Sequence, residues 1–312
     1  MRICLMIEGQ EGVTWKDWLA LAAAAEAAGL DGLFRSDHYS SFHAGPSDAL
    51  DAWSTLGALG PLTQRIRLGT LVSPVTFRHP SLLARMVATA DQISGGRIEV
   101  GLGAGWHERE HAQNGFPFPD LPARFDELEE QLQILVRSWT GERFDHRGER
   151  YTLLGQRALP RPIQKPHPPI ILGGQGKARA VELAVRYASE YNTMGSVEDC
   201  RARRVLLDDA CRRAGRDPAT LALSVMGFAA LGETPAAAED RERRAFDCMP
   251  NSRALFGNAS GKFVGSVAAV AAQLRAYAAA GVSRMYLNHF DREDLQAIEI
   301  MGQLARIVAS LD

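Results

Sequence analysis

The titratable residues of this chain gather most densely in GGRIEVGLGAGWHEREH, residues 95–111. There His107, Glu108, Glu110 and His111 follow an apolar run interrupted by regularly spaced glycines. Ile98, Val100 and Leu102 suit a buried strand, while Gly101, Gly103 and Gly105 let backbone or a flat ligand approach closely. Trp106 and its titratable neighbours fall just past the C-terminal end of that strand, where parallel α/β folds keep their active sites. Carboxylates and imidazoles grouped at such a point can hold, orient and exchange protons.

Two motif matches in this stretch carry less than they suggest. A GxGxxG dinucleotide fingerprint starting at Gly101 needs glycine at the position of Trp106, and one starting at Gly103 needs it at Glu108. HEREH, residues 107–111, is a literal HExxH, a pattern that places two zinc ligands and a general base on one helical face. A zinc-peptidase motif sits inside a continuous helix. This one begins two residues after a glycine-rich strand end and runs into Asn114, Gly115 and Pro117, so no metal site is expected.

The elements that position these residues alternate along the chain. Strands are predicted over Arg2–Glu8, Gly32–Ser36, Ile66–Ser73, Arg97–Gly103, Pro169–Gly173, Glu190–Met194, Leu221–Phe228 and Ser283–His289. Amphipathic helices are predicted over Thr14–Ala28, Ala49–Leu62, Ser81–Ile93, Pro122–Trp139, Lys177–Ala188, Val197–Ala214, Val267–Ala280 and Glu293–Ser310. Thr14 and Ser196 read as N-caps, and Gly29 and Gly281 as C-terminal glycines. Repeated βα units imply a parallel sheet, either open and doubly wound or closed. Eight of them favour a closed (β/α)8 TIM barrel in one domain. Such a barrel takes about 250 residues, so the excess falls in insertions, at about 141–168 and 234–263. FDHRGERYTL in the first reads as a hairpin; the second is either a segment over the barrel mouth or an inert excursion.

A barrel makes the strand C-termini the candidate site. Strand two ends in Arg35, Ser36, Asp37 and His38, a carboxylate beside an imidazole that can hold a substrate or exchange a proton, although such a pair serves a turn about as often. Strand three ends in Gly69, Thr70, Leu71, Val72, Ser73 and Pro74, and strand four supplies Glu108. Strand five runs into Gly173, Gly174, Gln175 and Gly176 before a helix opening with Lys177 and Arg179. Successive backbone N–H groups, a helix N-terminus and two cations form a phosphate cradle, although barrel phosphate sites more often follow strands seven and eight.

Composition excludes several classes. With 46% hydrophobic and 23% charged residues the chain can bury a large core, and a formal charge of −2 argues against nucleic acid as partner. The opening apolar run is broken by Glu8 and too short for a signal-peptide core or a membrane span, which predicts a cytoplasmic protein without membrane association. Cys4, Cys200, Cys211 and Cys248 lack CxxC spacing and read as incidental thiols.

In order along the chain, AEAAGLDGLFRSDH, RIRLGTLVSPVTFRHPSLLARMVATADQISGGRIEVGLGAGWHEREH, PIILGGQGKARAVELAVRYASEYNT and FVGSVAAVAAQLRAYAAAGVSRMYL resemble the luciferase-like monooxygenase family, specifically its branch using the deazaflavin coenzyme F420. The resemblance implies a hydride-transfer enzyme acting with F420 on a small organic substrate, and a homodimer. It implies a strand-three bulge with a non-proline cis peptide at Leu71–Val72, against which the ring lies. Asp37 would bond the coenzyme and His38 would stand near the reacting carbon. Glu108 would point inward as the acid and Glu110 would support the loop. Thr70, Leu71, Val72, Gly103, Gly105 and Trp106 would border the ring; Gly173, Gly174, Gln175, Gly176 and Lys177 would hold the phosphate of the coenzyme's side chain, and Thr193 would add a contact. Phe42 stands where some relatives have a tryptophan over the substrate, and His107 where they often carry a small residue. The alternatives are an FMN-dependent monooxygenase on the same fold, a non-catalytic flavin-binding protein and a zinc peptidase.

Overall fold

The computed structural model describes residues 1–42, 47–256 and 261–309. Its strands are β1 (Arg2–Ile7), β2 (Gly32–Arg35), β3 (Arg67–Pro74), β4 (Ile98–Gly103), β5 (Phe144–Arg147), β6 (Thr152–Gln156), β7 (Ile170–Gly173), β8 (Glu190–Thr193), β9 (Ala222–Gly232), β10 (Lys262–Ser266) and β11 (Val282–Asn288). Eight of them form a closed parallel ring in the order β9, β11, β1, β2, β3, β4, β7, β8 and back to β9. All eight predicted strands are present to within a residue or two at each end, except that β9 continues four residues further. Its last part pairs in parallel with β10, a strand not anticipated from the sequence. The hairpin expected between 141 and 168 is β5–β6.

The helices follow from their caps. Thr14 and Ser196 each accept from the backbone N–H three residues on, while Asp17 and Asp199 accept back from the cap backbone, so both helix starts carry a reciprocal capping box. Gly29 ends the first helix at φ 80°, a conformation that needs glycine. Residue 310, the expected end of the last helix, and residues 257–260 of the second insertion lie outside the described residues.

Two-residue alternation divides the ring strands between two environments. Ile3, Leu5, Leu33, Leu68, Val100, Leu172, Val225 and Leu287 pack with helix residues in the principal core. Cys4, Met6, Phe34, Leu71, Ile171 and Tyr286 form a separate cluster inside the ring. Near the N-terminal end of the ring lies a charged layer. Arg284 on β11 donates to Glu99 on β4 at 2.5 and 3.0 Å and to Glu190 on β8 at 3.0 Å, and the Tyr286 hydroxyl donates to Glu190 at 2.7 Å. β11 and β4 stand across the ring from each other, so the layer ties opposite walls. Above it the Phe34 ring meets Tyr286 edge-on at 4.9 Å.

Phe34 fits only because its neighbours are glycines. A Cβ on Gly32 would lie 2.7 Å from the Phe34 ring, and one on Gly69 would lie 2.5 Å from the ring and 2.6 Å from the Glu99 carbonyl oxygen. Gly69→Ala is therefore expected to destabilise the fold by about 1–3 kcal/mol, the usual cost of overpacking. A denaturant midpoint for Gly69→Ala equal to that of the wild type would contradict this packing account.

Candidate functional site

The C-terminal mouth of the barrel holds a cavity of about 510 Å³. Its floor and sides come from strand ends: Glu8, Ser36, His38, Leu71, Val72, Gly173, Asn192 and Met226. Its outer wall comes from loops: Phe42, Gly105, Trp106, Met249, Asn251, Ser252 and Phe256. Met249–Phe256 belong to the second insertion, which thus lies over the mouth. Asn251 Nδ2 donates to the Phe42 carbonyl at 3.0 Å, tying that insertion to the loop after β2.

The alternation that sorts the core also sorts the candidate residues. Glu8, Ser36, His38, Asn192, Met194 and Met226 continue the inward-facing positions, and the residues between them face away. Asp37, expected to bond the coenzyme, is instead fully buried outside the cavity. Its oxygens accept from Ser73 Oγ at 2.6 Å and from Arg78 at 2.5 and 3.1 Å. Thr70, expected at the ring, spends its hydroxyl on the Gly101 carbonyl at 3.0 Å, and Thr193 directs its own to the Met194 carbonyl at 3.3 Å. None of the three lines the cavity. Leu71 and Val72 both do, because the β3–β4 register shifts between Thr70 and Ser73, where the Leu71–Val72 peptide is cis. Gly103 is covered by Val72, whose Cγ2 would lie 2.8 Å from a Cβ there.

His38 is held by Glu110, the carboxylate expected to support the loop. Helix Glu108–Asn114 starts directly after the glycine-rich turn. Glu108 in its first turn is exposed and off the cavity, whereas Glu110 is fully buried. Residues two apart on a helix point about 200° apart, so burying Glu110 turns Glu108 outward; its expected inward orientation is corrected. Glu110 Oε2 accepts from His38 Nδ1 at 2.6 Å, and Oε1 accepts from the backbone N–H of Tyr39 and, at 3.0 Å, of Ser40. Because a carboxylate only accepts, Nδ1 carries the proton and Nε2 is the nitrogen left to exchange one. Burial works against a charge on His38, but the hydrogen bond and charge of Glu110, with Glu8 and Asp37 beyond, outweigh it and raise the imidazole pKa above its ordinary value. Burial likewise opposes charge on Glu110, yet its bond to His38 and the two amides hold its pKa below the usual value.

Glu8, taken in the sequence only as a break in an apolar run, is the acidic residue that lines the cavity. Burial raises its pKa against the opposing effects of His38, Gln10 and Ser36. Counting alternate residues from Cys4 would have found it. Around His38 stand Phe42, Trp106 and His107, with ring centroids 5.0, 5.8 and 6.0 Å away. His38, His107 and Glu110 offer ligand atoms within 4.8 Å of one another, the one grouping among the described residues able to hold a metal ion. It is not the HExxH pair, since His111 Nδ1 donates to the His107 carbonyl at 2.8 Å and Nε2 accepts from Thr76 at 2.6 Å.

At the cavity edge, Gly173 leads into Gly174, Gln175, Gly176 and Lys177. Helix Ala178–Tyr187 opens there without a side-chain cap, leaving its first N–H groups available. Gly176 has φ 75°, and a Cβ on it would overlap the Arg203 guanidinium. Arg203, from helix Val197–Arg213, was not anticipated. Its buried Nε has no hydrogen-bond partner.

The luciferase-like monooxygenase family profile matches residues 3–312. The F420-dependent glucose-6-phosphate dehydrogenase of Microbacterium testaceum (strain StLB037) is 36% identical over 64% of this chain and 59% of its own length. The FMNH(2)-dependent dimethylsulfone monooxygenase of Pseudomonas putida is 29% identical over 69% of this chain and 58% of its own. The chain thus spans about six-tenths of the length of the relatives it matches. A structure of an F420-dependent secondary alcohol dehydrogenase in complex with an F420-acetone adduct superposes with a TM-score of 0.83 at 19% identity, covering 98% of both chains. The long-chain alkane monooxygenase LadA does so at 0.83 and 15% identity, covering 99% of this chain and 91% of its own. With a closed eight-strand parallel barrel and a family match over nearly its whole length, the chain belongs to the luciferase-like monooxygenases.

Proposed function

We propose that this protein is an oxidoreductase that transfers a hydride between coenzyme F420 and a small organic substrate. The observation that carries this reading is the position of His38. Its Nδ1 is fixed by a buried carboxylate and its ring lines a cavity floored by the bulged Leu71–Val72 segment. The residues present fit the coenzyme. The apolar bulge and Gly105 suit a flat ring. The uncapped helix start after Lys177, with the unpartnered Arg203 Nε beside Gly176, suits a phosphate. Relatives 36% identical are named as F420-dependent dehydrogenases.

When bound, the deazaflavin supplies the hydride acceptor or donor, and the chain manages position and protons. In the oxidising direction His38 Nε2 takes the substrate's hydroxyl proton while Glu110 steadies the resulting imidazolium. In the reducing direction Nε2 returns it. Phe42, Trp106 and the methionines exclude water from that exchange. An FMN-dependent monooxygenase is the second reading, favoured by the dimethylsulfone monooxygenase relative and by a phosphate cradle that does not distinguish the two coenzymes.

Fluorescence titration is expected to give a lower Kd for F420 than for FMN. Arg203→Ala should weaken F420 binding about tenfold or more, the scale of a lost hydrogen bond to a charged group. Tighter FMN binding would move the assignment to the second reading, and unchanged affinity in the variant would remove Arg203 from the cradle.

The pH dependence has a definite sign. Because Glu110 raises the His38 pKa above its ordinary value, kcat/KM for substrate oxidation should rise as pH increases through that elevated pKa, where Nε2 becomes free to accept. Glu110→Gln should move this midpoint to lower pH, and His38→Ala should reduce turnover about 10²-fold or more. A midpoint unmoved in Glu110→Gln would show that another group governs the profile.

A further inference from the structure

We infer that the pocket takes an uncharged, largely apolar carbonyl compound, or the alcohol it is interconverted with, and discriminates against phosphorylated sugars. This rests on the hydride-transfer reading above, which it deepens by naming the substrate class.

Three observations carry it. First, the described cavity wall contains no lysine or arginine, and its ionisable members are Glu8 and His38. A phosphate dianion taken from water needs charge-assisted donors, and here it would meet a carboxyl instead. The segments 43–46 and 257–260, HAGP and GNAS in sequence, contain no lysine or arginine either. Second, apart from Lys177 and Arg203 at the glycine loop, which the coenzyme reading assigns to its phosphate, cations of the surrounding elements are occupied elsewhere. Arg78 is held by Asp37 and Asp51, Arg109 donates to the Ser41 carbonyl at 2.7 Å, and Arg179 pairs with Asp126 at 2.5 Å. Third, the wall opposite the strand ends is built from Phe42, Trp106, Met249 and Phe256, with Met194 and Met226 beside it. Trp106 is 59% exposed although it is among the largest apolar side chains, an exposure that a bound apolar body would relieve. Methionines adapt to irregular apolar shapes, so this wall accepts bulk without specifying one outline.

The chemistry needs one polar point on such a molecule, and the wall supplies one proton exchanger for it. Oxidation breaks the alcohol C–H bond, its electron pair leaving as hydride to the deazaflavin. The hydroxyl proton passes to His38 Nε2 and the C–O bond becomes a carbonyl. Reduction runs the same transfers backward, with reduced F420 as the hydride source.

The test uses the full chain and two separate readouts. F420 fluorescence titration first establishes whether the coenzyme binds; its failure removes the coenzyme assignment and leaves the substrate class to be judged by binding alone. Calorimetry then measures binding of ketones from acetone to octanone, of cyclohexanone and of glucose 6-phosphate, with and without F420. Steady-state assays with F420 or its reduced form follow the ketones, the matching alcohols and the sugar phosphate. Affinity and kcat/KM are expected to climb about fourfold per buried methylene until the cavity is filled, with no detectable binding of glucose 6-phosphate. Preference for glucose 6-phosphate over every uncharged compound would overturn the inference. So would F420 binding with no saturable response to any ketone or alcohol, or an affinity that stays flat along the series.

Discussion

A carboxylate with no contact with water stays ionised only where both its oxygens find donors, and Glu110 meets that condition with groups from another strand's loop. Its partners are the His38 imidazole and the Tyr39 and Ser40 amides just past β2, while Glu110 itself lies on the helix after β4. β2 and β4 do not touch; β3 stands between them. Glu110 therefore bridges two loops across the bulged strand on whose surface the ring would rest. Withdrawing it would leave a histidine without orientation and two amides without acceptors, so the geometry of the mouth depends on this one side chain more than on any residue that lines it.

Below the mouth, the barrel interior changes character with depth. At the N-terminal end Arg284 neutralises Glu99 and Glu190, a cluster further paired through Arg67. Buried ion pairs are weak contributors to stability, but removing one member leaves uncompensated charge and is costly. The layer thus constrains which strands can face each other more than it strengthens the fold. Phe34 and Tyr286 fill the middle, and glycines at 32 and 69 make room for them. Only above Leu71 does the interior open. The site lies where the filling stops, which fits a barrel whose packed interior is a core and whose loops carry the chemistry.

Most of this architecture was legible in the residues because each strand and helix announces itself locally. Apolar runs with Gly32, Gly69 and Gly101 mark strands, and Thr14 and Ser196 mark helix starts. What failed was facing. Asp37, Thr70 and Thr193 are polar residues at strand ends and drew attention as such, yet each lies one position off the inward register and serves its neighbours instead. Glu108 was faced inward by the resemblance alone, and the helix that starts at it buries Glu110 instead. Strand alternation counted from Cys4 or Phe34 would have selected Glu8, Ser36 and His38. No local pattern marks Arg203, which reaches the glycine loop from the helix after the neighbouring strand, nor β10, whose pairing depends on a distant extension of β9.

The barrel alone does not choose between deazaflavin and flavin chemistry, since proteins of this shape have been solved with F420 and with FMN. On the proposed reading, choice of coenzyme and choice of substrate would fall to different parts of the molecule. Coenzyme contacts would come from strand ends and the uncapped helix after β7, elements whose positions barrel closure fixes. The outer wall comes from Phe42, Trp106 and the Met249–Phe256 segment, which barrel closure does not fix. Asn251 joins two of these loops with a single hydrogen bond, so the wall can change composition without disturbing β1 to β4 or the Glu110 bridge. Substrate range can therefore diverge among relatives that share a coenzyme, and a relative's named substrate carries less information about this chain than the side chains of its own wall.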